Sequence, residues 1–503
     1  MALARAWSVA LIGIEGRPVE IEADIGAGLP GTKLVGLPDA GLREAKDRVR
    51  AAVRNSGQRW PDSSVTLGLS PANLPKVGSG YDLGIAVAVL AASGAVPATK
   101  LLGTVLLGEL ALDGRVRPVR GVLPALLAAR KSGYRRAVVA VESLFEGALV
   151  AGIEVAGAAR LDEVIAWLRD EEPLTPPEAP DPVAPAAVPD LADVVGQPEA
   201  RWALEVAAAG GHHLLMTGPP GVGKTMLATR LPGLLPQLSD EDALEVTAVH
   251  SVDGTLEPTS PLMRVPPFVA PHHSISMAAL VGGGSGLAMP GAISKAHRGV
   301  LFLDEAAELG SERLESLRTV LEDGEVRIAR ARGVVRYPAS FQLVLATNPC
   351  PCAPPRETEC SCTPAARRRY QARLSGPLLD RVDLRVRMRP MTAMGAHEVS
   401  SIESTAEVRE RVVAARERAA KRWSGRGWQT NAEVPGPALR REFALPARVT
   451  RLLDRSLDRG AITARGADRC LRIAWTLADL AEADVPDADH VAAALEFRDR
   501  RAA

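Results

Sequence analysis

The stretch HHLLMTGPPGVGKT, residues 212–225, decides the fold. The apolar run 214–217 reads as a β-strand, and a helical pattern follows at 225–234. Between them Gly218, Pro219, Pro220, Gly221, Val222, Gly223, Lys224 and Thr225 fit G-x-x-x-x-G-K-[ST] in the strand–loop–helix context that motif requires. The glycines let backbone N–H groups wrap phosphates, and the helix start adds the positive end of its dipole. Lys224 is expected to reach the β/γ-phosphate oxygens and Thr225 to ligate Mg²⁺. Basic residues in this chain are mostly arginine, and Lys224 is the only lysine between Lys131 and Lys295, so its place in the motif is not filler.

About eighty residues on, GVLFLDE (299–305) is an apolar strand ending in two carboxylates. Asp304 is expected in the Mg²⁺ shell and Glu305 beside the attacking water, because phosphoryl transfer is mostly positioning and charge stabilisation. A third strand, 341–347, ends in Asn348, which can orient that water. SGPLLDRVD (375–383) then supplies Arg381, the candidate for an arginine that acts on a neighbouring subunit's nucleotide. Such strands, with function at their carboxyl ends, predict a parallel α/β sheet. From about residue 391 strand signals vanish, and helical patterns at 405–422, 447–459, 464–481 and 487–499 predict an all-helical lid.

These motifs, with GAISKAHRGVLFLDE, LEDGEVRIAR, ATNPCPC and SGPLLDRVD, resemble the ComM/YifB subfamily of magnesium-chelatase-like AAA+ ATPases over essentially the whole chain. The resemblance implies a helix-2 insert, a pre-sensor hairpin and a ring, expected to be hexameric. It assigns Asn348 to sensor 1, Arg381 to the arginine finger, Arg465 in AITARGADR to sensor 2, and Gly196-Gln197 to the neighbourhood of the adenine. The histidines of Pro271-His-His-Ser274 and the glycine-rich 282–286 fall where the insert belongs. Adjacent histidines rarely point at one ion, which favours a hydrogen-bonding role.

Upstream, a proline-dense segment at 173–190 predicts an extended spacer. It divides an N-terminal domain, 1–172, from the ATPase core, 191–390, and the lid, 391–503. The N-terminal domain mixes short strands with helices, an α+β pattern, and LPKVGSGYDLGIAVAVLAA (74–92) and residues 107–139 resemble the proteolytic domain of Lon. That family uses a serine nucleophile and a lysine base. Here Asp82 stands at the serine position and Leu123 near the lysine position; Ser79 is close by without a lysine to activate it. The expectation is a proteolytically inactive domain.

Cys350-x-Cys352 and Cys360-x-Cys362 put four thiols within thirteen residues. Four thiolates suit tetrahedral Zn²⁺; disulfides and unligated thiols remain alternatives.

Sixty basic residues balance sixty acidic ones, and 20 to 19, 21 to 21 and 19 to 17 over 1–172, 191–390 and 391–503. No domain is therefore a general polyanion binder. Positive charge is instead clustered: VRIARARGVVR (326–336) carries Arg327, Arg330, Arg332 and Arg336 without an acid, a strand–ARG–strand pattern predicting a hairpin that grips phosphates, and Arg367–Arg369 with Arg373 form a second cluster. A solvated charged face is the plainer alternative for both. No run reaches the roughly eighteen apolar residues of a membrane span, and the N-terminus reads as a strand rather than a signal peptide, so a cytoplasmic protein without a membrane is expected. The family resemblance implies a branch-migration helicase acting on branched or single-stranded DNA, linked to recombination or natural transformation. A magnesium-chelatase motor subunit and a protein-remodelling scaffold are the alternatives.

Overall fold

The computed structural model describes residues 2–36, 40–178, 188–257, 262–284, 288–330, 333–390 and 403–499. In the N-terminal domain β1 (Ala2–Ile12), β2 (Glu15–Gly26), β3 (Gly31–Val35), β4 (Ser64–Ser70), β5 (Thr104–Leu106), β6 (Arg136–Ala140) and β7 (Glu154–Ala158) form a mixed sheet in the order β3-β4-β2-β1-β5-β6-β7. Helices α1 (Ala40–Asn55), α2 (Asp82–Ala92) and α3 (Val122–Lys131) accompany it. Nearly every side chain of α2 is buried, as expected of a helix that is apolar on all sides. The α/β composition expected from the sequence is present in both halves of the chain.

The ATPase core is built on a parallel sheet. β8 (Leu214–Thr217) lies between β15 (Gln342–Thr347) and β16 (Leu384–Arg387), and β12 (Val300–Leu303) and β9 (Phe268–Val269) continue beyond β15, giving the order β9-β12-β15-β8-β16. β12 and β15 are buried along their whole length, which is why they read as unbroken apolar runs without alternation. α4 (Pro198–Gly210), α5 (Lys224–Ala228), α6 (Asp240–Asp253) and α8 (Ser311–Asp323) flank the sheet. The helix expected at 225–234 is broken: α5 ends at Ala228 and a separate turn spans Leu231–Leu234. Pro232 lacks the N–H that a continuous helix would use and crowds the preceding turn. Two small hairpins rise from the core, β10 (Gly282–Gly283) with β11 (Met289–Pro290) and β13 (Glu325–Arg330) with β14 (Gly333–Pro338).

The lid is helical throughout its described residues: α10 (Thr405–Arg422), α11 (Ala447–Asp458), α12 (Ala464–Leu480) and α13 (Ala488–Asp499). Its core closes on the fully buried Trp423, whose Nε1 donates to Asn431 Oδ1 at 2.9 Å and whose ring meets Phe443 edge-on.

The proline-dense segment is not spacer from its first residue. Leu174 is buried in the N-terminal core, and Thr175 exchanges backbone hydrogen bonds with Gly157 at 2.7 and 3.1 Å. Prolines at 173, 176 and 177 leave Thr175 with its own N–H, so it can pair as an edge residue. At the other end Asp190 accepts from the Thr405 amide at 2.7 Å, tying the segment to the lid. The N-terminal domain also packs on the core directly. Leu244 and Ala248 of α6 join the apolar cluster around α3, and buried Glu146 accepts from Ser251 and from the Leu123 amide.

Core and lid are joined by a buried polar cluster at the amino ends of the strands. Asp383 pairs with Arg469 of α12 and accepts from the His213 amide at 2.9 Å; His212 lies 2.7 Å from Thr476 Oγ1. Burial pulls His212 and His213 down to about 4, against the opposing pull of Asp383. Burial pushes the Asp383 carboxyl up, but the guanidiniums of Arg469 and Arg472 pull it down, and the group is held well below the usual carboxylate range. Both histidines stay neutral in the fold while an unfolded chain takes up protons near the ordinary histidine pKa of about 6.5. Their contribution is therefore complete above about 6.5 and is lost as pH falls toward 4. Denaturant midpoints measured from about pH 7 to about pH 5 should fall, and His212→Asn should flatten that slope.

Candidate functional site

The glycine loop leaves the carboxyl end of β8 and turns into α5. Gly221 and Gly223 take φ of +77° and +92°, and a Cβ at either would meet no atom within 4 Å, so the loop arches over open space. Gly223 caps α5 without a side-chain acceptor, leaving the first amides of that helix to other partners. Lys224 is buried and its Nζ donates to Gly218 O at 2.6 Å, Pro219 O at 2.9 Å and Asn348 Oδ1 at 3.1 Å. Burial draws its ammonium below the ordinary lysine range, opposed by Asp304 and Glu305. Thr225 Oγ1 donates to Asp304 Oδ2 at 2.6 Å. Three separate strands thus deliver Lys224–Thr225, Asp304 and Asn348 to one point, a donor set that fits a nucleotide phosphate with its Mg²⁺. Gln197 also arrives there, its amide 3.4 Å from Val222 O and 2.6 Å from Arg389 O.

Glu305 diverges from its neighbour. Its φ is +48°, a left-handed conformation that a non-glycine residue adopts at a cost, and its Oε2 lies 2.8 Å from His273 Nδ1. The sequence marks His273 as a hydrogen-bonding residue, but its partner is twenty or more residues beyond any local pattern and emerges only from the pairing of β9 with β12.

Arg381 and Arg465 do not meet the phosphate loop of their own chain. β16 runs parallel to β8, so Arg381, which precedes β16, sits at the end of the sheet opposite the loop that follows β8. There it is mostly buried, paired with Glu322 and donating to Pro377 O at 2.7 Å. Arg465 is exposed in the first turn of α12, one turn before the Arg469 that pairs with Asp383, and so lies at that same end.

The arginine segment forms the hairpin expected. Val326 and Ile328 pair with Tyr337 and Val335, and Val326, Ile328 and Tyr337 are buried. On the outer face Arg327 stands directly opposite Arg336. Arg327 also contacts Glu325 and Asp323. Strand alternation splits the cluster: Arg330 belongs to the other face and approaches Gly283, where a Cβ would come 3.3 Å from its guanidinium. Arg332 lies outside the described residues.

Immediately after Asn348, the four cysteines converge, with all four Sγ atoms within 4.8 Å of one another and three pairs at 3.4–3.5 Å. A tetrahedron with Zn–S bonds of about 2.3 Å has S···S edges of about 3.8 Å. The Arg367 guanidinium beside Cys360 suits the net negative charge of four thiolates around a divalent ion. The cluster joins the end of β15 to Thr363, which caps α9 (Pro364–Gln371) through Ala366 N at 3.2 Å.

In the N-terminal domain Asp82 is fully buried and paired with Arg48 at 2.9 and 3.1 Å. Burial raises it to about 6, opposed by that guanidinium. Leu123 is buried, and Ser79 donates to Glu109. No lysine is brought to Ser79 among the hydrogen bonds of the described residues.

A five-stranded parallel sheet with this loop, paired carboxylates, a polar residue, Asn348, at the end of a third strand and a helical lid defines an AAA+ ATPase. Residues 190–396 match the family described as magnesium chelatase, subunit ChlI, residues 21–143 match subunit ChlI of Mg-chelatase, and residues 402–498 match the subunit ChlI C-terminal family. The chain is 60% identical over 498 residues to an uncharacterised protein of Mycobacterium tuberculosis (strain ATCC 25618 / H37Rv), 99% of each chain being covered. It is 42% identical over 500 residues to YifB of Escherichia coli (strain K12), covering 99% of this chain and 97% of that one. To competence protein ComM of Haemophilus influenzae (strain Rd) it is 41% identical over 508 residues, covering 99% and 98%. The chain belongs to the ComM/YifB group of magnesium-chelatase-like AAA+ proteins. Its Lon-like part is reflected in a 139-residue match, 32% identical, to Lon protease 2 of Bacillus subtilis, 27% of this chain and 25% of that one.

Proposed function

We propose that this ATPase is a ring-forming motor that acts on DNA, a branch-migration helicase serving recombination or natural transformation. The observation that carries the reading is the Arg327–Arg336 pair. Like charges directly opposite on a hairpin destabilise it; Glu325 and Asp323 offset Arg327 in part, and a backbone phosphate between the two guanidiniums would offset the rest. The name of the competence relative agrees with a DNA substrate. Among the described residues no helix is long and apolar enough to cross a membrane.

In this reading Lys224 binds the β/γ-phosphates, Glu305 and Asn348 orient the attacking water, and Thr225 with Asp304 would hold Mg²⁺. That ion, when bound, offsets charge on the phosphates. Arg381 and Arg465 serve the nucleotide of a neighbouring copy, which makes a closed ring, expected to be a hexamer, the working form. Four cysteines would hold Zn²⁺, cross-linking the segment between Asn348 and α9. The N-terminal domain acts as a scaffold and not as a protease, since Asp82 is committed to Arg48 and Leu123 cannot serve as a base.

ATP turnover should rise with forked or four-way DNA at low salt; unchanged turnover without strand exchange overturns the DNA reading. Arg327→Ala or Arg336→Ala should weaken binding evenly across sequences and lower the salt slope by about one each. Purified protein should retain about one zinc after exhaustive dialysis, judged against the Cys₄ geometry, and lose it in Cys360→Ser. The 38 kDa magnesium-chelatase subunit of Rhodobacter capsulatus matches at 27% identity over only 172 residues, 31% of this chain and 49% of that one, which gives the chelatase alternative less support.

A further inference from the structure

We infer that the N-terminal domain acts as a brace for the DNA contact: the turn between β1 and β2, at Gly13, seats the strand that carries Arg336 and so holds that guanidinium opposite Arg327 before a phosphate arrives. The inference rests on the reading of that pair as a DNA contact and gives the N-terminal domain its part in it.

Gly13 and Ile14 join the two strands, since Ile12 pairs with Glu15. Gly13 takes φ of +66°, a left-handed conformation that glycine enters without strain. It is buried against β14: a Cβ there would collide with Arg336 O and lie 3.2 Å from Val335 Cγ1. The turn thus bears on the backbone of Arg336 itself. A flexible side chain could swing aside from an added carbon, whereas a carbonyl in a rigid peptide unit moves only with its strand.

The arginine hairpin needs support of this kind. It is a sheet of two strands, which by itself is marginally stable at best in water, and Arg327 opposite Arg336 weakens it further. Leu11 and Ile14, beside Gly13, pack on the apolar cluster that contains Ile328 and Tyr337 of the hairpin, Val252 of α6 and Leu280 of α7 (Met277–Val281), which runs directly into β10. Close packing leaves such side chains little room to shift singly. The N-terminal domain is itself fixed on α6, where the Gly121 amide donates to Ser251 O at 3.0 Å and Glu146 accepts from both the Ser251 hydroxyl and the Leu123 amide. Met289 of β11 lines the same cavity as Leu11, Ser79 and Glu109, so the second core hairpin also borders this domain. A guanidinium pair preset in this way loses less freedom on meeting a phosphate than a frayed hairpin would.

The test uses the full chain and a four-way DNA, with affinity read across a salt series. Gly13→Ala should weaken binding several-fold and lower the slope of log K against log salt by about one, as Arg336→Ala should. Adding Gly13→Ala to Arg336→Ala should cost little more, because both act through one guanidinium. Gly133→Ala is the control: Gly133 has φ of +88° in the same domain with no atom within 4 Å of a Cβ, so that variant carries the backbone strain without the contact and should bind like the parent. Hydrogen exchange at residues 333–338, read without DNA, should quicken in Gly13→Ala and not in Gly133→Ala. Thermal midpoints check that the variants fold; where Gly13→Ala does not, Ile14→Ala, which trims a partly buried side chain of the same turn, should shift both readouts in the same direction. A Gly13→Ala that matches Gly133→Ala in affinity and exchange overturns the inference, as does a fully additive loss in the double variant. The two failures are distinct: a parent that does not bind four-way DNA removes the DNA reading and the brace with it, whereas a parent that binds, beside a Gly13→Ala that matches its control, removes only the brace.

Discussion

Lys224→Ala should lose ATP binding and hydrolysis together, whereas Glu305→Gln should keep ATP binding and lose turnover by about 10²–10⁴-fold. The difference follows from where the two groups sit. Lys224 is buried inside the loop, with its Nζ on Gly218 O, Pro219 O and Asn348 Oδ1. Removing it takes away the only cation the described loop presents, along with the packing that orders the loop. Glu305 touches neither the loop nor Thr225, and its amide reaches only the Asp304 carboxylate, at 2.8 Å. Its substitution leaves the binding residues in place and removes only the carboxylate proposed to orient water. Nucleotide-binding titrations beside single-turnover hydrolysis measure both quantities. Glu305→Gln that hydrolyses at the parent rate overturns its assignment.

Arg381→Ala should reduce turnover by about 10³–10⁵-fold, the range of an arginine that stabilises the charge of a transferring phosphoryl group, with ATP affinity little changed. Distance from its own loop makes a second measurement decisive. Arg381 lies before β16 and the loop after β8, on parallel neighbouring strands, so its action requires another copy. A mixture of Arg381→Ala and Lys224→Ala chains contains sites that pair an intact loop from the first with an intact arginine from the second. Activity should therefore reappear on mixing two dead proteins. Failure to reappear, in a mixture shown to co-assemble, overturns action between subunits. The Glu322 contact adds a structural contribution that Arg381→Lys helps separate, since lysine keeps the charge but loses the planar fork.

Legibility in the sequence follows the range of the interactions involved. The strand at 214–217 and the lid helix at 405–422 coincide with the patterns that predict them, because apolar runs and helical periodicity are local properties. The small strands β9 and β16 carry too few residues for any periodicity. They form because β12 and β8 offer them open edges. The helix break at Pro232 was readable from proline chemistry alone, while the pairing of Thr175 with Gly157 depends on an edge that the fold creates. Likewise the arginines of 326–336 announce a basic hairpin, but which of them share a face follows from register: Arg327 with Arg336, and Arg330 turned to Gly283.

By itself the sequence determined which chemical groups are candidates for phosphate, metal and thiol chemistry, because G-x-x-x-x-G-K-T, a strand ending in Asp-Glu and four clustered cysteines need particular residue types at short spacings. Only the tertiary structure decided how those groups are oriented. The parallel sheet brings Lys224, Asp304 and Asn348 together, sends Arg381 and Arg465 to the opposite end, and turns Glu305 toward His273. Those relations depend on strand order and direction, which join residues far apart in the chain and leave no spacing for a sequence to display.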